Sequence, residues 1–579
     1  MPSLKIPVED LNELKLILFL QRIYSPNFSM KKNIFFKLKR NKLAKALSIL
    51  AIIVLGSTAN HVFAQNWNEV IKAVASDRAV EDRFGNAVAI SGDYAIVGAE
   101  YEDHNVQGTV FRDQAGAAYI FRNIAGTWTE VQKIVASNRN TGDNFGHSVA
   151  ISGDYAIVGA HTNDGFISGT GNVNNSGAAY IFKNTAGVWT KVNILEAFDF
   201  EADDLFGCSV AMSGDYAMVG AWREDEDEDE INSFSDAGSV YVFLNNGGTW
   251  SHLQKIVPLD RGTDDAFGWS VSISGDYAII GAKEDDENAT GGNNLQSAGS
   301  AYIFKNTAGT WAQMQKIVAS DRGTNDEFGN SVSISGDYAL VGAMLEDHNL
   351  TGGQTLVSAG SSYIFKNNAG TWSQVQKIIA PDRDADDMFG SKVSISGNYA
   401  LIGALNEEED AAGANAIAGA GAAYLFENTA GTWSMVQKIV ASDRGGVDDY
   451  FGDAVALEGN YAIVGAFLED EDSTGGNTLS AAGSVYFFQN TIAVAIVANS
   501  FEKEMTISPN PNNGNFAINL GAVGENTMIS ITDVSGRLID SKKFTNVKVL
   551  NLSIDQPAGI YFIAVQTDNK KVFLRLVKE

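Results

Sequence analysis

Seven aspartates recur at one position of this chain, each two residues before a Phe-Gly pair: Asp82, Asp143, Asp204, Asp265, Asp326, Asp387 and Asp449. A second carboxylate recurs four residues after the Ala of a Gly-Ala pair, at Asp103, Asp164, Asp225, Asp286, Asp347, Glu408 and Asp470. Regularly spaced carboxylates can pin a turn by accepting backbone N–H bonds, hold a hard cation through oxygen ligands, or sit solvated in a loop. The first set lies just before an extended run and reads as turn-pinning. The second reads first as solvated loop charge and second as a weak Ca2+ rim. A third recurrence, Asp77-Arg78, Asp321-Arg322 and Asp443-Arg444, reads as a local or inter-repeat ion pair, worth ~0–1 kcal/mol if exposed.

Catalytic constellations are harder to find. The histidines, His61, His104, His147, His161, His252 and His348, do not recur in register. No metalloprotease, nucleophile-elbow or phosphate-loop motif appears. Carboxylates are too plentiful to nominate a glycosidase pair. No catalytic residue is therefore assigned, the chain reads as a non-enzyme, and no cofactor is required. Cys208 is the only cysteine, so no intrachain disulfide can form, and it reads as a small buried group rather than a reactive thiol.

The elements that must position these groups come from a repeat. Trp67, Trp128, Trp189, Trp250, Trp311, Trp372 and Trp433 stand 61 residues apart. Phe-Gly pairs occur at Phe84-Gly85, Phe145-Gly146, Phe206-Gly207, Phe267-Gly268, Phe328-Gly329, Phe389-Gly390 and Phe451-Gly452. Each is followed 14 residues later by Gly-Ala, beginning at Gly98, Gly159, Gly220, Gly281, Gly342, Gly403 and Gly465. One unit holds four extended runs: WAQMQKIVAS (311–320), FGNSVSIS (328–335), YALVGA (338–343) and AGSSYIF (359–365). Val332 and Ile334 alternate with serines, the period of a strand. Ser or Ala on one face of the FG strand suits a crowded position near an axis. Gln and Lys in the Trp strand suit an outer edge that must resist pairing with another molecule.

Four strands per unit and seven units predict an all-β chain with a seven-bladed β-propeller over residues 65–490. The repeats start out of phase. The first Trp strand (67–74) lacks three strands before it, and the chain's last unit ends at GSVYFF (483–488) without a Trp strand. The first strand is therefore expected to complete the last blade. Loops alternate between faces in an up-and-down blade. The loops after Gly-Ala and after the Trp strand must then share one face, which carries most of the acid, including EDEDEDE (224–230).

Charge and composition divide the rest. Residues 65–490 hold 22 basic and 59 acidic residues, a net of −37, which argues against a nucleic-acid partner. Residues 1–64 carry a basic stretch after Met30 and an apolar run from Ala46 to Gly56, which reads as a signal peptide cleaved after Ala64. That run is too short to anchor the mature chain in a membrane. Residues 491–579 break the repeat and alternate strands with Asn/Gly/Pro turns, which reads as a small Ig-like β-sandwich.

The motif FGNSVSISGDYALVGA (328–343), with its Phe-Gly and Gly-Ala pairs, resembles the FG-GAP repeat that builds integrin-α-like propellers. The resemblance covers 65–490 and recurs seven times. The family's calcium loop does not carry over. Its place holds a short turn with one acid or amide, Asp93, Asp154, Asp215, Asp276, Asp337, Asn398 or Asn460, too few oxygens for Ca2+. Residues 491–579 resemble the type A C-terminal sorting domain of type IX secretion. The carriers are Pro509-Asn510-Pro511, Gly514, Asp533, Gly536 and Pro557-Ala558-Gly559-Ile560-Tyr561.

These resemblances imply an exported protein of a Gram-negative bacterium, secreted or attached to the outer surface, with the type IX machinery as one partner. The function expected is binding or adhesion, with an acidic loop-rich face presented to an extracellular protein or glycan. The alternative is a secreted polysaccharide-acting enzyme with its site where the loops converge.

Overall fold

The computed structural model describes residues 65–165, 173–353, 355–492, 506–533, 538–567 and 570–578. The N-terminal extension and signal peptide read over 1–64 lie outside these, as does Gly536. Every regular element among the described residues is a β-strand. No helix there is long and apolar enough to cross a membrane.

Seven four-stranded antiparallel sheets form the blades. Blade 1 pairs Phe84–Ser91, Tyr94–Ala99, Ala117–Ile124 and Thr127–Ile134 in that order, and blades 2 to 6 repeat it. The FG strands lie innermost. They surround an axial cavity of about 250 Å³ lined by residues such as Val88, Ile151, Val210, Val271, Val332 and Leu457. Blade 7 is completed by the chain's first strand. Gln65–Ala73 pairs with Ser484–Ile492, placing Trp67 opposite Asn490 and Lys72 opposite Tyr486.

The two glycines of the repeat explain each other. A Cβ on Gly98 would lie 2.0 Å from the carbonyl oxygen of Gly146, the FG glycine of the next blade. The same clash recurs at every junction, including Gly465 against Gly85 where the ring closes. Only two glycines let the backbones of adjacent blades approach this closely. The Phe of each pair is fully buried; Phe84 meets the Tyr119 ring edge-on at 5.3 Å. Each core joins two blades, as where Trp189 of blade 2 packs on Tyr94 of blade 1, 5.4 Å between ring centres.

Polar side chains finish the backbone bonding between blades. The inner strand is a sheet edge with unpaired N–H groups, which need partners. Ser270 and Ser272 Oγ accept the N–H groups of Val332 and Ile334 at 3.1 Å, and Ser331 and Ser333 serve Val393 and Ile395. The serines thus cap the next blade as well as fitting a crowded axis. The Trp strand is outermost, as expected, but its Gln and Lys do not guard a free edge. Gln132 bonds both the N–H and the C=O of Trp189 in the next blade, at 2.9 and 2.7 Å. Lys133 is 7% exposed and points inward. Their job is blade-to-blade attachment.

The C-terminal domain is a five-stranded sheet of Thr506–Ser508, Asn515–Asp533, Leu538–Ser553, Gly559–Thr567 and Lys570–Lys578. The long strand loses register between Asn519 and Gly524. Phe516 and Ile518 before the break share one core with Ile529 and Ile531 after it, so one hairpin supplies both sides of that core. The Pro-Asn-Pro motif pins the last strand: Asn510 Oδ1 accepts the Val577 N–H at 2.7 Å.

Candidate functional site

Beneath the acidic face lies a charged network that the repeat spacing did not single out. Three residues after each Gly-Ala alanine stands an acid or amide with no more than 2% exposure: Glu102, Asn163, Glu224, Asp285, Glu346, Glu407 and Glu469. In blade 1, Lys133 bridges Glu102 at 3.2 Å and Asp77 at 2.7 Å. Tyr119 donates its hydroxyl to the same two carboxylates. Lys255, Lys316, Lys377, Lys438 and Lys72 make the same double bridge in blades 3 to 7. Blade 2 replaces all three charges together, with Asn138, Asn163 and Ile194, and Tyr180 donates to Asn138 at 2.8 Å. The Asp of each Asp-Arg pair, itself partly exposed, thus pairs with a buried Lys, not with Arg. Arg78 instead donates to the carbonyls of Asp470 and Asn477 in blade 7. These bonds tie the loops after Gly-Ala and after the Trp strand together on one face.

The first acidic set pins its turn, as read from sequence: Asp143 Oδ2 accepts the Asn140 N–H at 2.6 Å, and the others repeat the bond. Burial pushes every one of these carboxyls up, to about 8 at Asp82, Asp204 and Asp265, and to about 7 at Asp326, Asp387 and Asp449. The buried carboxylate alongside adds to the effect in those six. Asp143, which faces the neutral Asn163, reaches only about 6. An unfolded aspartate sits at 3.8, so the folded state holds extra protons between the two values. This contribution is full below about pH 4 and is lost as pH rises through about 6 to 8. The melting temperature is expected to fall from about pH 5 to about pH 8, and Asp82→Asn with Asp265→Asn should flatten that slope. A melting temperature that rises across the interval would overturn this account.

The second set has a local task. Asp103 Oδ1 accepts the Gln114 N–H at 2.7 Å, eleven residues on, and Asp164, Asp225, Asp286, Asp347 and Asp470 close their own loops in the same way. The backbone carbonyl of all seven also accepts a loop N–H, as Glu408 accepts that of Ile417 at 2.8 Å. A trio of carboxylate oxygens gathers elsewhere: one each from Asp265, Asp285 and Glu287 lie within 4.8 Å of one another.

Symmetry breaks at the centre of this face, in the mouth around the axis. The residue before each FG is Arg83, Asn144, Leu205, Ala266, Glu327, Met388 or Tyr450. All seven have φ between 52° and 57°, the left-handed region where glycine is cheapest. A chain with 58 glycines places none there, so these side chains are retained at a cost in strain. The residue after FG is Asn86, His147, Cys208, Trp269, Asn330, Ser391 or Asp453, and that after Gly-Ala is Glu100, His161, Trp222, Lys283, Met344, Leu405 or Phe467. An invariant residue, Asp, Gly or Ala, directly precedes each of these positions.

These side chains meet across blades. Glu100 of blade 1 bonds His147 of blade 2 at 2.7 Å, and within blade 2 the His147 ring lies tilted against His161 with ring centres 3.9 Å apart. Trp222 meets Trp269 edge-on at 5.3 Å, and Lys283 reaches Glu327 at 3.5 Å. Burial and the neighbouring His147 push the His161 imidazole down to about 3, so it stays neutral. Burial pushes Glu100 up, but the bond and charge of His147, with the charge of Arg83, outweigh it and leave Glu100 below its usual value. Burial holds Asp453 above its usual value against the opposing pull of Lys392. Cys208 is half-buried in the same ring. Its thiol donates to the Gly220 carbonyl at 3.3 Å, and burial pushes it up to about 11; it is less buried than the sequence reading expects, because it faces the mouth.

Reading histidines and cysteine for recurrence hid this site. The signal that finds it is the reverse: aligned units that agree at Phe-Gly and Gly-Ala differ in size, charge and polarity at the residue directly after each pair. The FG-GAP repeat model matches residues 67–121, 128–182, 189–243, 250–304, 311–365, 372–426 and 433–488, more than half of the chain. The secretion system C-terminal sorting domain model matches residues 506–579. No curated protein matches the chain.

Proposed function

We propose, from the premise that the chain belongs to the FG-GAP repeat family and closes with a type IX sorting domain, that this exported protein is an extracellular binding module whose ligand seats in the axial mouth of the acidic face. One observation carries the reading: near-identical blades present different side chains at the mouth, the seven before Phe-Gly on strained backbone, while the Phe-Gly and Gly-Ala pairs beside them stay constant. A scaffold needs no such variety, and a ligand that fits one orientation does. Beads coated with the protein should capture the ligand from an array of matrix proteins and glycans. Replacing His161 and Trp222 with Ala should abolish capture, while Asp93→Asn and Asp337→Asn on the opposite face should not. Equal capture by both variants would sink the proposal.

A second reading, an enzyme acting on polysaccharide, draws on two carboxyls of the mouth positions, Glu100 held below and Asp453 above its usual value. Scoring the same array for new reducing ends separates binding from hydrolysis.

The rim reading belongs to the proposal as well. Millimolar Ca2+ should raise the melting temperature modestly by relieving repulsion on this face. Asn at Asp103, Asp225, Asp286, Asp347 and Asp470, with Gln at Glu408, should remove most of that response. At the five aspartates an amide keeps an oxygen acceptor for the loop bond and loses only the charge. Asn at Asp93, Asp276 and Asp337 should leave the response intact.

A further inference from the structure

Resting on that reading, we propose that the occupant of the mouth is a neutral saccharide. The chain has nine tryptophans. Seven are the repeat tryptophans, 1–3% exposed in the blade cores. The other two, Trp222 and Trp269, stand together in the mouth and are half-buried. Indole so placed offers an apolar surface for the C–H side of a sugar ring together with an N–H donor at its edge.

The charges around them point the same way. The mouth positions and the residues directly after them carry Arg83, Arg223, Lys283 and Lys392 against Glu100, Glu284, Glu327 and Asp453, four of each sign, and the turn aspartates directly before them, Asp82 and its equivalents, are buried. This balance sits in a propeller of net −37. Arg83 rests on Glu100 at 3.3 Å, and Lys283 on Glu284 at 2.9 Å. An ionic ligand would have to displace one of these pairs. A hydroxyl both donates and accepts, so it can join them without breaking any. His161 adds a neutral imidazole whose Nδ1 is buried and makes no hydrogen bond among the described residues. Such an atom calls for a polar partner.

The test uses the full chain against an array of neutral gluco-, manno-, galacto- and xylo-oligosaccharides, sulfated and sialylated glycans, and a basic protein. Binding of at least one neutral oligosaccharide is expected, with little dependence on salt. Trp222→Ala and Trp269→Ala should each weaken it about tenfold or more, with unchanged melting temperature, and Asp93→Asn should not weaken it. If no neutral oligosaccharide binds at millimolar concentration, the saccharide proposal fails. If only a charged glycan or the basic protein binds and the Trp variants lose it, the saccharide fails while the mouth stands as the binding site. If a neutral oligosaccharide binds equally to all variants, both fail.

Discussion

Lys133→Ile alone will destabilise the propeller by about 3–5 kcal/mol, and adding Asp77→Asn and Glu102→Asn will recover most of the loss. The single change leaves Glu102, fully buried, beside Asp77 with no cation between them. An uncompensated buried charge is far costlier than a neutral set that packs well. Blade 2 already contains the neutral set, as Asn138, Asn163 and Ile194, on the same backbone. The triple variant copies it and keeps an acceptor for the Tyr119 hydroxyl, as Asn138 serves Tyr180. Denaturant melts of the four proteins (wild type, single, Asp77→Asn with Glu102→Asn, triple) measure the coupling. A single variant as stable as wild type would show that the lysine carries no buried load. A triple variant as unstable as the single would show that the pairs matter for more than charge balance.

Deleting residues 65–76 will open blade 7 and have the largest effect of all. The deletion removes Trp67, 1% exposed, and a large-to-small change at one buried aromatic costs about 3–5 kcal/mol by itself. It also removes Lys72, stranding Asp443 and Glu469, and it unpairs Gln437 from the Trp67 backbone. Ser484–Ile492 then becomes an unprotected sheet edge, which invites pairing with a second molecule. A steep drop in melting temperature, with dimers or larger species in light scattering, is the expected outcome. A truncated protein that melts like the full chain and stays monomeric would refute closure by this strand.

Much of the fold was legible because the signals are local and repeat. A two-residue alternation marks a strand wherever it occurs, and seven copies in register leave few arrangements. The turn-pinning of Asp82 and its equivalents was readable for the same reason, since donor and acceptor lie three residues apart. The buried network was not. Glu102 and Asp103 are neighbours with the same chemistry, yet one is fully buried under the next loop and the other pins its own. Nothing in their spacing separates them. The role of Gln132 was misread because a strand edge facing water and one facing another blade need the same residue types.

By itself, the sequence determined the strand pattern, the number of blades, the closing strand and the face that gathers the acid. These follow from periodicity, glycine placement and loop parity, which are properties of a chain read in one dimension. Only the tertiary structure decided which loop residues meet at the axis. Glu100 and His147 lie 47 residues apart, and Lys133 and Asp77 lie 56 apart. Such pairs form because the blades press Gly98 against Gly146 and bring the strand tops into one ring. Burial, and with it the charge state of every carboxyl beneath the mouth, depends on that packing, because the cost of an ion is set by what surrounds it rather than by its neighbours along the chain.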